Sequence, residues 1–260
     1  DLISRYHPNY DNRLISKEKL HKKISPDLPY NETTIRRLLF DLQNLAERFM
    51  KQIQFEKRKA ESGIYLIEEL AGRGSSKMYY KNSKDTKKLL DSEENLDSDI
   101  CLNRFRLETD DFYFGMINNK INRRSFVNTE ANRLISGITY LISFFMLEAI
   151  KHNDTLLSYS RSFNVKFNEK FISQFIKLFD FERLEIFMKA NNMVGSHLIE
   201  VYLNTLKAFL YFDNEQYFVD LKKSLYDFQD ELSLADNHFL FTRLEGYCVL
   251  KIKSGTDNSG

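Results

Sequence analysis

An all-α fold is predicted by three observations. All three prolines fall within the first 29 of 260 residues, so the remaining 231 positions lack the residue that most often breaks a helix. Leu134 to Ile150, LISGITYLISFFMLEAI, is the most apolar stretch and reads as one helix without a polar face, buried on nearly all sides. Ile35, Leu38, Leu39, Leu42, Leu45, Phe49 and Ile53 recur mostly at spacings of three and four, the period of an amphipathic helix. With 42% hydrophobic and 29% charged residues the chain has the material for a core, which excludes disorder for its bulk.

Taken in order, residues 1–30 read as an extended arm leading into a short helix. His7-Pro8 and Pro26-Asp27-Leu28-Pro29 are breakers, with weak helical periodicity between them at Leu14, Ile15, Leu20 and Ile24. Asn31 is placed to cap the amphipathic helix, which runs to about Arg58. A helix from Ile64 to Ala71 follows, with Gly72 at its C′ position. Lys77 to Leu90 is a strongly basic helix, and Asp91 to Asp99 is an acidic flexible connection. Leu96, Ile100, Leu102 and Phe105 indicate one further helix, and Phe112, Phe114, Met116, Ile117 and Ile121 another. A loop at Asn118-Asn119 and Asn122-Arg123-Arg124 precedes the apolar helix, which Thr129 can cap.

From residue 130 apolar helices alternate with polar turns that contain Asp. Asn153-Asp154 separates the apolar helix from Thr155–Phe163. Phe179-Asp180 separates Phe171–Leu178 from Glu182–Ala190, and Phe212-Asp213 separates Leu198–Tyr211 from Glu215–Leu232. Asp213 and Gln216 form a capping-box pattern. Phe239–Ile252 is the last helix, ahead of a turn at Ser254-Gly255-Thr256-Asp257.

Two of these units align at an offset of 33. Phe179-Asp180-Phe181-Glu182 falls on Phe212-Asp213-Asn214-Glu215, and Ile186, Met188 and Lys189 fall on Val219, Leu221 and Lys222. A period of this size marks stacked helical hairpins. Residues 130–260 thus resemble tetratricopeptide-like repeats, although the family's Gly-Tyr, Ala and closing Pro positions are not reproduced. The resemblance implies an irregular α-solenoid and carries over no peptide-binding residue. An irregular helical bundle is the alternative. Either way, an N-terminal helical block, 1–125, is expected to pack on a hairpin array, 126–255, with 256–260 as a flexible tail. The expected core includes Leu38, Leu42, Leu45, Phe49, Leu141, Ile142, Phe145, Phe175, Leu206 and Leu210.

The net charge of +1 conceals an asymmetry. Residues 1–90 carry 19 Lys/Arg against 12 Asp/Glu, a net +7, whereas residues 91–120 carry 3 against 8, a net −5. Cys101 and Cys248 are far apart and belong to no CxxC pair, which fits a reducing, cytoplasmic setting. No secretory signal opens the chain. His7, His21, His152, His197 and His238 are scattered without metal-ligand spacing, so no metal or cofactor is expected. Gly72-Arg73-Gly74-Ser75-Ser76 follows a helix and lacks GK[ST], so it reads as a helix end, not a phosphate loop. Glu68-Glu69, Glu93-Glu94 and Asp110-Asp111 are adjacent pairs that cannot flank one scissile bond from a helix. No catalytic motif is found. About 14 apolar residues precede Glu148, which suits a core helix better than a membrane span of about 20.

The expected function is a non-catalytic protein–protein interaction scaffold. Stacked hairpins offer a concave surface for a protein or peptide partner, with Tyr202, Asn204, Lys207 and Arg243 as exposed contacts. An alternative is nucleic-acid binding through the 73–88 segment, where Arg73, Lys77, Lys81, Lys84 and Lys88 interleave with Tyr80. A third reading is an accessory domain of a larger enzyme.

Overall fold

The computed structural model describes residues 16–93, 95–118, 123–163, 174 and 180–257. Among them every regular element is helical. The arm up to Ile15, most of the expected helix Phe171–Leu178 with its core residue Phe175, Phe179, the Asn119–Asn122 part of the loop and residues 258–260 lie outside the described residues. Contacts divide the chain after Lys59 into two units.

In the first unit, α1 (Lys17–Ile24) is capped by Ser16, whose hydroxyl accepts from the Lys19 amide at 3.2 Å. Its partner α2 (Glu32–Lys57) is capped by Asn31, which accepts from the Thr34 amide at 3.1 Å, as the sequence indicates. His21 is buried and meets Tyr30 edge-on at 5.5 Å, and Ile35 is fully buried. The rest of the α2 stripe is not. Leu38 is 43% exposed, Leu42 50%, Leu45 59% and Phe49 64%, so none of these four expected core residues is in a core. Length explains part of this: α1 is about 12 Å long and α2 about 39 Å, so α1 can cover only a fraction of α2.

The second unit, from Ala60 on, holds α3 (Lys59–Gly72) apart from its first residue, and then α4 (Ser76–Asp91). The C′ glycine between them is Gly74, not Gly72. It sits at φ +67°, its amide donates to the Ala71 carbonyl, and the Ser75 amide donates to that of Leu70, closing a Schellman turn. The two helices expected from Leu96 to Ile121 are one, α5 (Ser98–Asn118). It lies along α6 (Arg123–Phe163), a single helix of 41 residues.

Three expectations fail on α6. Arg123 and Arg124 open the helix instead of closing a loop. Thr129 is not a cap, since its hydroxyl donates back to the Ser125 carbonyl at 2.7 Å. Asn153-Asp154 does not break the helix. There the Asn153 amide donates to the Ala149 carbonyl and the Thr155 hydroxyl to that of Lys151, so both donors are satisfied within the helix, while Asn153 Oδ1 is buried without a partner. Nor is α6 buried all round. Ile135 and Ile138 are more than half exposed, and the expected core residues Leu141 and Phe145 are also exposed. Ile142 packs at the edge of the core, while Met146, Leu147 and Ile150 are fully buried.

After α7 (Phe181–Ala190), the helix enclosed most completely is α8 (Ser196–Leu210), which packs on α6. Leu206 is buried in it and Leu210 lies at the core edge, as expected. Asp180 caps α7, accepting from the Arg183 amide at 3.0 Å. At α9 (Glu215–Phe228) the cap is Asn214, so the Asp213–Gln216 capping box does not form. A 3-10 turn (Gln229–Glu231) leads to α10 (Leu234–Asp257), which continues through the expected turn at Ser254–Asp257. Successive helices α7 to α10 pack pairwise, and α8 also touches α10.

Candidate interaction surfaces

The first candidate surface is the long helix of the first unit. Leu38, Leu42, Leu45 and Phe49 stand at spacings of four, three and four, which puts them on one stripe. Asp41 and Arg48 flank that stripe, each one position before an apolar residue of it. Both are exposed, and neither has an ion pair among the described residues. On the same helix Arg36 bonds Glu32 at 2.7 Å, while Arg37, Lys51 and Lys57, off the stripe, also lack an ion pair among the described residues. Phe40, Met50 and Phe55 are exposed on α2 as well, off this stripe, so it is the alignment of the four on one face that makes a surface a partner can cover.

The second candidate surface is α4. Tyr79, Ser83, Thr86 and Leu90 are buried, and Tyr79 stacks on Phe114 with ring centroids 3.6 Å apart. The same spacing displaced by two residues gives Lys77, Lys81, Lys84 and Lys88, all exposed on the opposite side along about 17 Å of helix. Lys88 lies 3.7 Å from Asp85, while Lys77, Lys81 and Lys84 have no ion pair among the described residues. Tyr80 is exposed beside the row. Arg73 is exposed on the preceding turn and bonded to Glu69 at 2.7 Å. The six residues assigned to nucleic acid from the sequence are thus all at the surface, and four of them form one row.

Beneath Tyr80 and Lys84 is a groove of about 320 Å³ that the sequence did not indicate. Arg133 of α6 is its hub, 2.5 Å from Glu130, 2.9 Å from Asp111 and 3.4 Å from Glu108. Lys87 reaches Glu108 at 3.2 Å, and the Ser83 hydroxyl donates to Asp111 at 2.7 Å. Arg133 and Lys87 are matched with acids here, and the unpaired cation on the rim is Lys84, which belongs to the lysine row. Nearby, burial and the neighbouring Glu68 push the Asp110 carboxyl up to about 6.

The expected partner contacts on the C-terminal helices are held inside the fold. Tyr202 is fully buried, and its hydroxyl donates to Asp236. Lys151 reaches the same carboxylate at 2.9 Å and the Ser233 hydroxyl donates to it at 2.6 Å. Burial acts to raise the Asp236 carboxyl, but the hydrogen bonds from Ser233, Tyr202 and Lys151 outweigh it and hold the group below the usual range. Arg243 is equally committed. Its Nε lies 2.7 Å from Asp154 Oδ2, its NH1 donates to Ser158 at 2.7 Å, its NH2 donates to Thr155 at 3.1 Å, and its carbon sits over Phe239. Asp154 is fully buried, and Arg243 is the one cation paired with it among the described residues. Burial pushes this carboxyl up to about 6 against the pull of Arg243. Asn204 donates to Ser224 at 3.1 Å, and Lys207, largely covered, lies 3.5 Å from Glu182. The four residues therefore bind their own chain. Their α6 partners carried a sequence signal: Lys151, Asp154, Thr155 and Ser158 form a polar stripe at helical spacing.

A groove of about 440 Å³ lies where Gly195, at φ +84°, turns the chain into α8. His197 lines it, stacked on Phe228 at 4.3 Å with Nδ1 3.0 Å from Glu231. Among the described residues the side-chain partner of the His197 imidazole is Glu231. No group of three His, Cys, Asp or Glu among them could hold a metal ion. Among the described residues one helix is long and apolar enough to cross a membrane, Arg124–Ser160, with 28% of its most apolar window buried in the fold. No protein-family model matches the chain, and neither a curated protein nor a solved structure does.

Proposed function

We propose that the chain is a non-catalytic interaction scaffold that presents α2 to a protein partner in the cytoplasm. The observation that carries this reading is the exposed stripe Leu38, Leu42, Leu45 and Phe49. These four large apolar side chains are already about half covered, so a docked apolar face would recover roughly 1 kcal/mol for each. The partner surface is therefore α2 and not the Tyr202–Arg243 region.

In this reading α7 to α10 form the rigid part of the scaffold, as two tetratricopeptide-like hairpins. The support is in the burial pattern. From Glu182 to Ala190 and from Glu215 to Lys223, exposure matches position by position at the offset of 33, with Met188 and Leu221 both fully buried and Ile186 and Val219 both exposed. The one mismatch is Phe187 against Asp220. The caps, Asp180 and Asn214, are 34 apart.

A second reading, binding of nucleic acid by α4, rests on the row Lys77, Lys81, Lys84 and Lys88 beside Tyr80. One experiment separates the two. A photo-crosslinking residue is placed at position 45 or at position 81 of the full chain in the source cell. The scaffold reading expects protein adducts from position 45 and none with nucleic acid from position 81. Nucleic-acid adducts from position 81, with nothing from position 45, replace it with the second reading.

A further inference from the structure

We propose that the occupant of the α2 stripe is α2 of a second copy of this chain, docked antiparallel about a two-fold axis. This rests on the reading of α2 as a docking surface and goes further by naming what docks there. Self-association about a two-fold axis needs one patch complementary to itself, and the order of residues on α2 supplies one. In heptad terms Leu42 and Phe49 occupy a positions and Leu38 and Leu45 d positions, while Ile35, the preceding a position, is fully buried and closed to a partner. In an antiparallel pair a faces d. Leu42 then faces Leu45 of the second copy and Leu38 faces Phe49, and both layers fall on the same centre between residues 43 and 44.

The flanking positions are then fixed. Asp41 and Arg48 both occupy g positions, and the antiparallel pairing sets Asp41 of one copy beside Arg48 of the other, about 3 Å apart along the axis, twice by symmetry. These are the two residues of the stripe's flank that have no ion pair of their own. On the other flank Leu39 faces Ala46, an apolar and uncrowded pair. A parallel pairing would instead set Asp41 beside Ala46 and Arg48 beside Ile53, leaving both charges against apolar side chains. Charge complementarity therefore selects both the partner and its direction.

Sedimentation velocity of the full chain between about 1 and 200 µM tests this. A reversible dimer of the 30.9 kDa chain is expected, abolished by Leu42→Gln/Phe49→Gln. Asp41→Arg and Arg48→Asp each set like charges together twice and weaken the dimer roughly tenfold. The double variant Asp41→Arg/Arg48→Asp restores it. A single 30.9 kDa species at every concentration overturns the proposal, as does a dimer indifferent to Leu42→Gln/Phe49→Gln or a charge swap that fails to restore. Should the chain stay monomeric while the position-45 probe still captures a protein of another mass, the second-copy proposal falls and the docking reading stands. Should the probe also capture nothing, both fall.

Discussion

Arg243→Ala is expected to lower the unfolding free energy by about 3–5 kcal/mol, because it leaves the fully buried Asp154 carboxylate without its counter-charge. Urea unfolding followed by circular dichroism reads this directly. The loss should far exceed that of Asp154→Asn/Arg243→Met, which removes both charges at once. The pair also sets a pH dependence. The folded Asp154 titrates at about 6, above the ordinary 3.8, so between those values the folded state holds a proton that the unfolded state does not. Its contribution to stability therefore rises as pH falls, by about 1 kcal/mol from pH 7 to pH 5. Asp154→Asn should remove that rise. Asp236 has the opposite sign, since its folded-state pKa is lowered: its contribution is present above the ordinary carboxylate range and is lost in more acidic solution.

Tyr202→Ala is expected to cost about 3–5 kcal/mol, the range for deleting a large aromatic side chain from a core. Tyr202→Phe keeps the ring and removes only the hydroxyl that donates to Asp236, so about 1–3 kcal/mol should be lost. Thermal unfolding of the two variants separates packing from hydrogen bonding. Were Tyr202 a surface contact for a partner, both changes would stay within about 0.5 kcal/mol.

The contrast at Tyr202 shows where the sequence was readable. The helical class, the Asn31 cap and the α2 boundaries follow from proline placement, capping chemistry and periodicity, all of them local. Burial does not, because it depends on which helices meet. Leu134–Ile150 looked enclosed because it is apolar all round, yet α6 turns Ile135, Ile138, Leu141 and Phe145 outward. The more enclosed helix is α8, where the polar groups of Tyr202, Asn204 and Lys207 made covered positions read as exposed contacts. The same limit applied to Asn153-Asp154. Two polar residues in an apolar run resemble a turn, but one bonds back to its own helix and the other is buried against Arg243 from 89 residues away. Of the candidate surfaces, the lysine row on α4 was legible because four lysines at helical spacing define a face by themselves. The α2 stripe was equally visible as a pattern and was read as core, since periodicity reveals an apolar face but not what covers it.

The central claim is that the α2 stripe serves a partner and not the chain's own core. The most direct measurement is the stability of Leu42→Gln/Phe49→Gln, by thermal melting at a concentration where any association is absent. Glutamine keeps the helix propensity of α2, so the change acts on the apolar surface alone. The account predicts unchanged far-ultraviolet circular dichroism and a midpoint within about 2 °C of the parent chain. A fall of about 10 °C or more, or loss of helix, would mean that Leu42 and Phe49 hold the fold together, and would contradict it.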